Sequence, residues 1–182
     1  DEFSNPRKAG IIAVDLDPGD YLIGARLTDG RHDVMLFSDG GKAVRFDEED
    51  VRPMGRNARG VRGMMLEDGQ SVIAMLVAEQ DETHSASPVS VLTATENGYG
   101  KRTSIVEYTR HGRGTKGMIA IQQSERNGKV VAATLVRPED EIMLITDRGV
   151  LVRTRVSEIR ELGRATQGVT LIALDDGSTL SG

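Results

Sequence analysis

The side chains in this sequence that carry the clearest chemical signal are cations. The stretch GRNARGVRGM at 55–64 sets Arg56, Arg59 and Arg62 among glycines, just after Arg52, in a chain of 182 residues whose formal net charge is −5. Arginine presents forked donors that match phosphate oxygens, and glycine lets the main chain come close, so the combination suits a polyanion backbone. Copies of the stretch recur as GRGTKGM at 112–118 and GRATQGV at 163–169, with a looser version, NPRKAGI, at 5–11.

The elements that would position these cations also recur. The second glycine of each copy falls at Gly10, Gly60, Gly117 and Gly168, in steps of 50, 57 and 51 residues. A second series, SDGGKAVRF at 38–46, TENGYGKRT at 95–103 and TDRGVLVRT at 146–154, has turn glycines at Gly41, Gly98 and Gly149, each 19 residues before Gly60, Gly117 or Gly168. Each member of this second series reads as a hairpin around Asp, Asn and Gly, residues that tolerate the positive φ of a tight turn. Ahead of the hairpins lie the β-rich runs YLIGARL, SVIAMLV and VVAATLV, and after Gly60, Gly117 and Gly168 come VRGMMLEDG, MIAIQQ and VTLIAL. About four strands per unit predicts an all-β fold of propeller-like blades around an axis. EEDVRPMG, SIVEYTRHG and VSEIRELG each have room for a short turn of helix at most, and EQDETHSASP at 79–88 reads as a polar loop insertion.

The units run over about 11–60, 61–117, 118–168 and a partial 169–182, which is about three and a half repeats of one domain spanning 1–182. The expectation is a fragment of a larger ring, with strand edges that further blades would cover.

Charge follows the repeat. The windows 42–62, 101–116 and 148–164 hold 16 of the 23 Lys and Arg but 7 of the 28 Asp and Glu, so they are net positive and the remainder is strongly net negative. Equivalent positions in successive blades lie on one rim, so Arg45, Arg102 and Arg153, then Arg56, Arg113 and Arg164, are expected to form a curved positive belt. Arg59, Arg62, Lys101 and Lys116 fall in the same windows and join the candidate DNA-binding set. Such a belt would bind a phosphate backbone without regard to sequence and with strong salt sensitivity. The competing reading of the same pattern is a propeller-like protein-interaction scaffold, which has no need of phased charge.

Other chemistries find little support. There is no cysteine, hence no disulfide framework and no thiolate metal site. No apolar run approaches the roughly 18 residues of a membrane span, and the N-terminal DEFSNPRKAG lacks the apolar stretch of a signal peptide; the reading is cytoplasmic and nucleoid-associated. Aromatic residues make up 3% of the chain with no Trp, which disfavours single-strand stacking surfaces. His32, His84 and His111 lack ligand spacing, and GRGTKGM fails the spacing of a phosphate loop and precedes a strand where a helix is needed. Tyr21, Tyr99 and Tyr108 sit within strands or turns of the repeat, and the acidic runs DEED at 47–50 and EDE at 139–141 read as solvated turns. No catalytic residue, metal site or cofactor is expected for this segment.

The phased hairpins, with NGYGKRT, GRGTKGM and ITDRGVLVRTRVSEI followed by GRATQGV, closely resemble the C-terminal domain of DNA gyrase A over essentially the whole chain, with the topoisomerase IV domain a more distant match. The resemblance implies a β-pinwheel whose blades exchange strands and around whose rim duplex DNA wraps, in a type II topoisomerase that adds negative supercoils. It also implies partners in an upstream catalytic domain, which carries the catalytic Tyr, and in a separate ATPase polypeptide, with ATP and Mg used elsewhere in the holoenzyme. GRGTKGM corresponds to the degenerate form of the family's box heptapeptide that later blades carry, the full box belonging to an upstream blade.

Overall fold

The computed structural model describes residues 31–51, 62–80, 88–111, 113–174 and 177–182. Three hairpins organise it: β1 (His32–Ser38) with β2 (Lys42–Asp47), β4 (Ser90–Thr95) with β5 (Tyr99–Ser104), and β8 (Glu141–Ile145) with β9 (Leu151–Arg155). Each turn closes in the same way. The N–H of Gly41, Gly98 and Gly149 donates to the carbonyl three residues back, and the hydroxyl of Ser38, Thr95 or Thr146 accepts the N–H four residues on. A short hydroxyl side chain at the strand end thus satisfies a backbone donor that the ladder leaves over. A 3-10 turn follows each second strand, at Glu48–Asp50, Ile105–Glu107 and Val156–Glu158, matching the short helical turns the sequence allows.

Two four-stranded sheets result. One runs β3-β1-β2-β6 and the other β10-β5-β4-β7, where β3 is Val72–Glu79, β6 is Met118–Ile119, β7 is Val130–Val136 and β10 is Val169–Thr170; β8 and β9 pair as a two-stranded sheet. Two of the three described sheets have the expected four strands, and strands are exchanged between units, as the resemblance implies. SVIAMLV, which precedes the second hairpin in sequence, pairs with β1 of the first, and VVAATLV pairs with β4 of the second. The strands after the box glycines likewise pair backwards, β6 on β2 and β10 on β5. Blades are joined by exchanged strands, and the architecture is an all-β pinwheel.

The exchange explains the phase between the two glycine series. Gly117 and Gly168 both adopt φ of +86°, and a Cβ on either would collide with a backbone oxygen of the preceding hairpin, that of Ala43 or of Gly100. Only glycine offers both the left-handed backbone and the close approach. Immediately beyond, the Ala120 N–H donates to the Gly41 carbonyl at 2.8 Å and the Leu171 N–H to that of Gly98 at 2.8 Å, so the turn of one blade registers on the box segment of the next.

The main core lies between the first two sheets. Met35, Phe37, Val91, Ile105 and Tyr108 are buried there, with Phe37 and Tyr108 edge to face at 5.9 Å between ring centroids. A second cluster of Leu92, Val136, Val156 and Ile159 joins the second and third hairpins. Among the described residues, no helix is long and apolar enough to cross a membrane.

Candidate nucleic-acid interface

The cations of the second hairpin strands do not form a free rim. Arg45, on β2, is 7% exposed. Its Nε donates to Asp33 Oδ2 at 2.7 Å, and one terminal nitrogen reaches the carbonyls of Ile105 and Tyr108 at 3.1 and 3.2 Å, on the 3-10 turn of the next blade. Asp33 is fully buried and also lies 3.0 Å from Arg110 Nε. A buried charge needs this pairing, and withdrawing Arg45 to meet a phosphate would strand the carboxylate. The expectation that Arg45 belongs to an exposed belt is therefore corrected: it joins two blades. Arg102, one repeat later and half-buried, makes the matching bond, Nε to the Ile159 carbonyl at 2.6 Å. Arg153 is the exposed member of the series, with Glu141 at 3.5 Å.

Lys101 is corrected in the same way. It is fully buried. Its Nζ donates into four oxygens of the third box loop, the carbonyls of Gly163 at 2.6 Å, Arg164 at 2.5 Å and Thr166 at 3.0 Å, and Thr166 Oγ1 at 3.0 Å. Burial pulls its pKa down from 10.5 to about 8, with Glu107 opposing and Arg164 assisting that shift.

The box arginines behave differently. Arg113 is exposed, and it donates Nε to the Asp50 carbonyl at 2.9 Å and a terminal nitrogen to the Arg62 carbonyl at 3.3 Å. Arg164 repeats both contacts 51 residues later, Nε to Glu107 O at 3.2 Å and a terminal nitrogen to Ile119 O at 2.9 Å. Each guanidinium thus clasps two main-chain carbonyls, one on the 3-10 turn after a hairpin and one just beyond a glycine box, and its five N–H groups leave donors over for an outside acceptor. Arg62 and Lys116 are exposed beside this line. Chain contacts run without a break from Arg62 to Arg113, through Gly114 N–H on the Gly63 carbonyl at 2.6 Å, and from Lys116 through β6 to Arg164. The structure thus joins Arg113 to the Arg62 main chain, and Arg164 to Ile119, three residues beyond Lys116. Arg56 and Arg59 lie outside the described residues.

Residues with other chemistry fall into structural places. Burial pushes the Tyr108 hydroxyl far above its ordinary pKa, unsuited to a nucleophile, and the Tyr99 ring lies 4.3 Å beneath the Arg126 guanidinium carbon. His111 Nε2 is 2.8 Å from Thr109 Oγ1, while Tyr21 and His84 lie outside the described residues. No cluster of potential metal ligands occurs among the described residues. Asp33 and Arg110 are the partners that the sequence reading missed; a carboxylate 12 positions before Arg45, on the strand paired with it, was the available signal.

Comparison with known proteins places this geometry in a family. The family described as DNA gyrase C-terminal domain, beta-propeller, matches over residues 1–29, 32–79, 90–137 and 140–182. The DNA gyrase A protein of Pseudomonas aeruginosa is 53% identical over 181 residues, covering 100% of this chain and 19% of that protein; its Escherichia coli K12 counterpart is 51% identical over 181 residues, covering 100% and 20%. The chain thus spans about a fifth of the length of these relatives. A solved DNA gyrase A C-terminal domain superposes with a TM-score of 0.83 at 30% identity, over 96% of this chain and 57% of that one. The C-terminal domain of DNA topoisomerase IV gives a TM-score of 0.87 at 22% identity, over 98% and 54%, a likeness of fold. With exchanged strands, phased glycines and repeated arginine clasps all accounted for, the chain belongs to the DNA gyrase C-terminal domain family.

Proposed function

We propose that this segment binds duplex DNA without sequence preference and bends it around the edge that carries Arg62, Arg113, Lys116 and Arg164, with Arg153 and the outward side of Arg102 extending the path. The observation that carries this reading is the repeated clasp: Arg113 and Arg164 each hold two main-chain carbonyls, so their positive charge is fixed in place and still reachable from outside. A preorganised cation loses less entropy on meeting a phosphate than a free side chain does. Bending a duplex by 40–90° over 20–30 base pairs costs on the order of 1–6 kcal/mol, so contacts on several blades are required to offset it.

On this reading the segment is the non-catalytic accessory domain of a type II topoisomerase that introduces negative supercoils. The catalytic domain of the same chain and a separate ATPase polypeptide do the chemistry, with ATP and Mg used there. Support comes from the gyrase A relatives and from the structural roles of the tyrosines and histidines described.

The test is a gel shift with the full chain and linear duplex, comparing the wild type with Arg113→Glu, Arg164→Glu and the double variant. Each single variant is expected to weaken binding several-fold and the double to abolish the shift at moderate salt. Unchanged binding in the double variant, or binding that tolerates high salt, contradicts the reading and favours a protein-interaction scaffold.

A further inference from the structure

The position of Lys101 is Val44 in the first hairpin and Val152 in the third, so the blade itself does not require a cation there. A buried ammonium is costly, and this one is matched by four oxygens, all on the loop 163–166. That loop carries Arg164. Its peptide is held from both sides: the Arg164 N–H donates to Glu107 Oε1 at 3.2 Å, and the Arg164 carbonyl accepts from Lys101 at 2.5 Å. The guanidinium then meets Glu107 O and Ile119 O.

The preceding junction solves the same problem differently. There the loop is tied by the Gly114 N–H to Gly63, and Val44 faces Thr115, Lys116 and Gly117 across an open cavity of about 380 Å³. Both loops share one main-chain tie, Met65 N–H to the Thr115 carbonyl at 2.7 Å and Gln122 N–H to the Thr166 carbonyl at 2.9 Å; the third adds the Lys101 ammonium where the second adds the Gly114 bond. We propose that Lys101 is a positioning residue for DNA binding: its ammonium sets the backbone of loop 163–166 so that Arg164 points along the phosphate path. Lys101 touches no phosphate itself. The proposal rests on the DNA-binding reading for its functional consequence, while the ordering of the loop stands on its own.

The experiment uses the full chain with Lys101→Met, Lys101→Val, Arg164→Gln and the Lys101→Met/Arg164→Gln pair. Binding to a linear duplex of about 150 base pairs, one persistence length, is measured by titration, and amide hydrogen exchange is followed across 113–118 and 163–168. Lys101→Met is expected to raise exchange at 163–168 but not at 113–118 and to weaken binding about 3- to 10-fold, with no further loss when Arg164 is already Gln. Lys101→Val, which installs the residue of the other two hairpins, is expected to do the same and guards against a misfolded methionine variant. Equal losses with and without Arg164, exchange raised throughout the domain, or no change in exchange would each overturn the proposal. Should no variant, nor the wild type, bind duplex, the DNA-binding reading fails, and the exchange arm still decides whether Lys101 orders the loop.

Discussion

Arg113 donates its Nε to the main-chain oxygen of Asp50 at 2.9 Å, and one repeat later Arg164 makes the same bond to Glu107 at 3.2 Å. The blades are therefore sewn together by the very side chains proposed to meet DNA. Lysine in either place would keep the charge and lose the fork that reaches two carbonyls at once. Arg113→Lys and Arg164→Lys are each expected to weaken duplex binding about 3- to 10-fold, and to cost on the order of 1 kcal/mol of stability from the lost bonds. Titration with duplex and urea unfolding measure the two effects separately.

Asp33 lies between Arg45 and Arg110 with no exposure of its own. Asp33→Asn removes the charge and leaves the buried Arg45 without its ionic partner. Breaking such a pair costs about 3–5 kcal/mol. Urea unfolding of the variant is expected to show a loss of that order, while duplex affinity, measured where the protein remains folded, changes little. Unchanged stability would contradict the reading of Asp33 and Arg45 as a buried structural pair.

Lys101 gives a pH dependence with a defined sign. Burial lowers its pKa from 10.5 to about 8 in the folded chain, with Glu107 and Arg164 as the charged neighbours. Between these values the unfolded chain holds a proton that the folded chain has released, so through this group stability rises as pH goes up from 8 to 10.5 and is level below 8. The difference in urea midpoint between wild type and Lys101→Met, followed over that range, is expected to carry this slope. Deprotonation also takes one donor from the four-oxygen cradle, so duplex binding through Arg164 is expected to fall over the same range.

Gly117→Ala and Gly168→Ala place a methyl group against a main-chain oxygen of the preceding hairpin at a left-handed φ of +86°. Gly149 has a similar φ of +81° and nothing within 4 Å of the added atom. Left-handed strain costs about 1–3 kcal/mol on its own. Thermal unfolding is therefore expected to show Gly149→Ala within that range and both box variants well beyond it.

The glycine phase was legible because two separate demands, positive φ and close backbone approach, fall on one residue at Gly117 and again at Gly168. The hairpins were legible for the same reason, each closing on a hydroxyl residue and a left-handed glycine. Strand partnership was not. SVIAMLV is equally apolar whichever hairpin it joins, and only the three-dimensional path shows that it lies on β1. The burial of Arg45 and Lys101 was hidden in a similar way. A cation on an alternating strand reads as solvent-facing, while the carbonyls that capture Arg45 lie 60 and 63 positions away and the oxygens that capture Lys101 lie 62 to 65 positions away. Arg113 and Arg164 were legible as cations at equivalent repeat positions, but their grip on neighbouring carbonyls left no trace in composition.

The most direct measurement is the salt dependence of duplex binding by the full chain, with and without charge reversal at Arg62, Arg113, Lys116 and Arg164. About two phosphate contacts on each of three blades, at −0.9 per phosphate, predict a slope of log affinity against log salt of about −5, moving toward zero as these side chains are reversed. A slope near zero in the wild type, or one that the four reversals leave unchanged, would contradict the account.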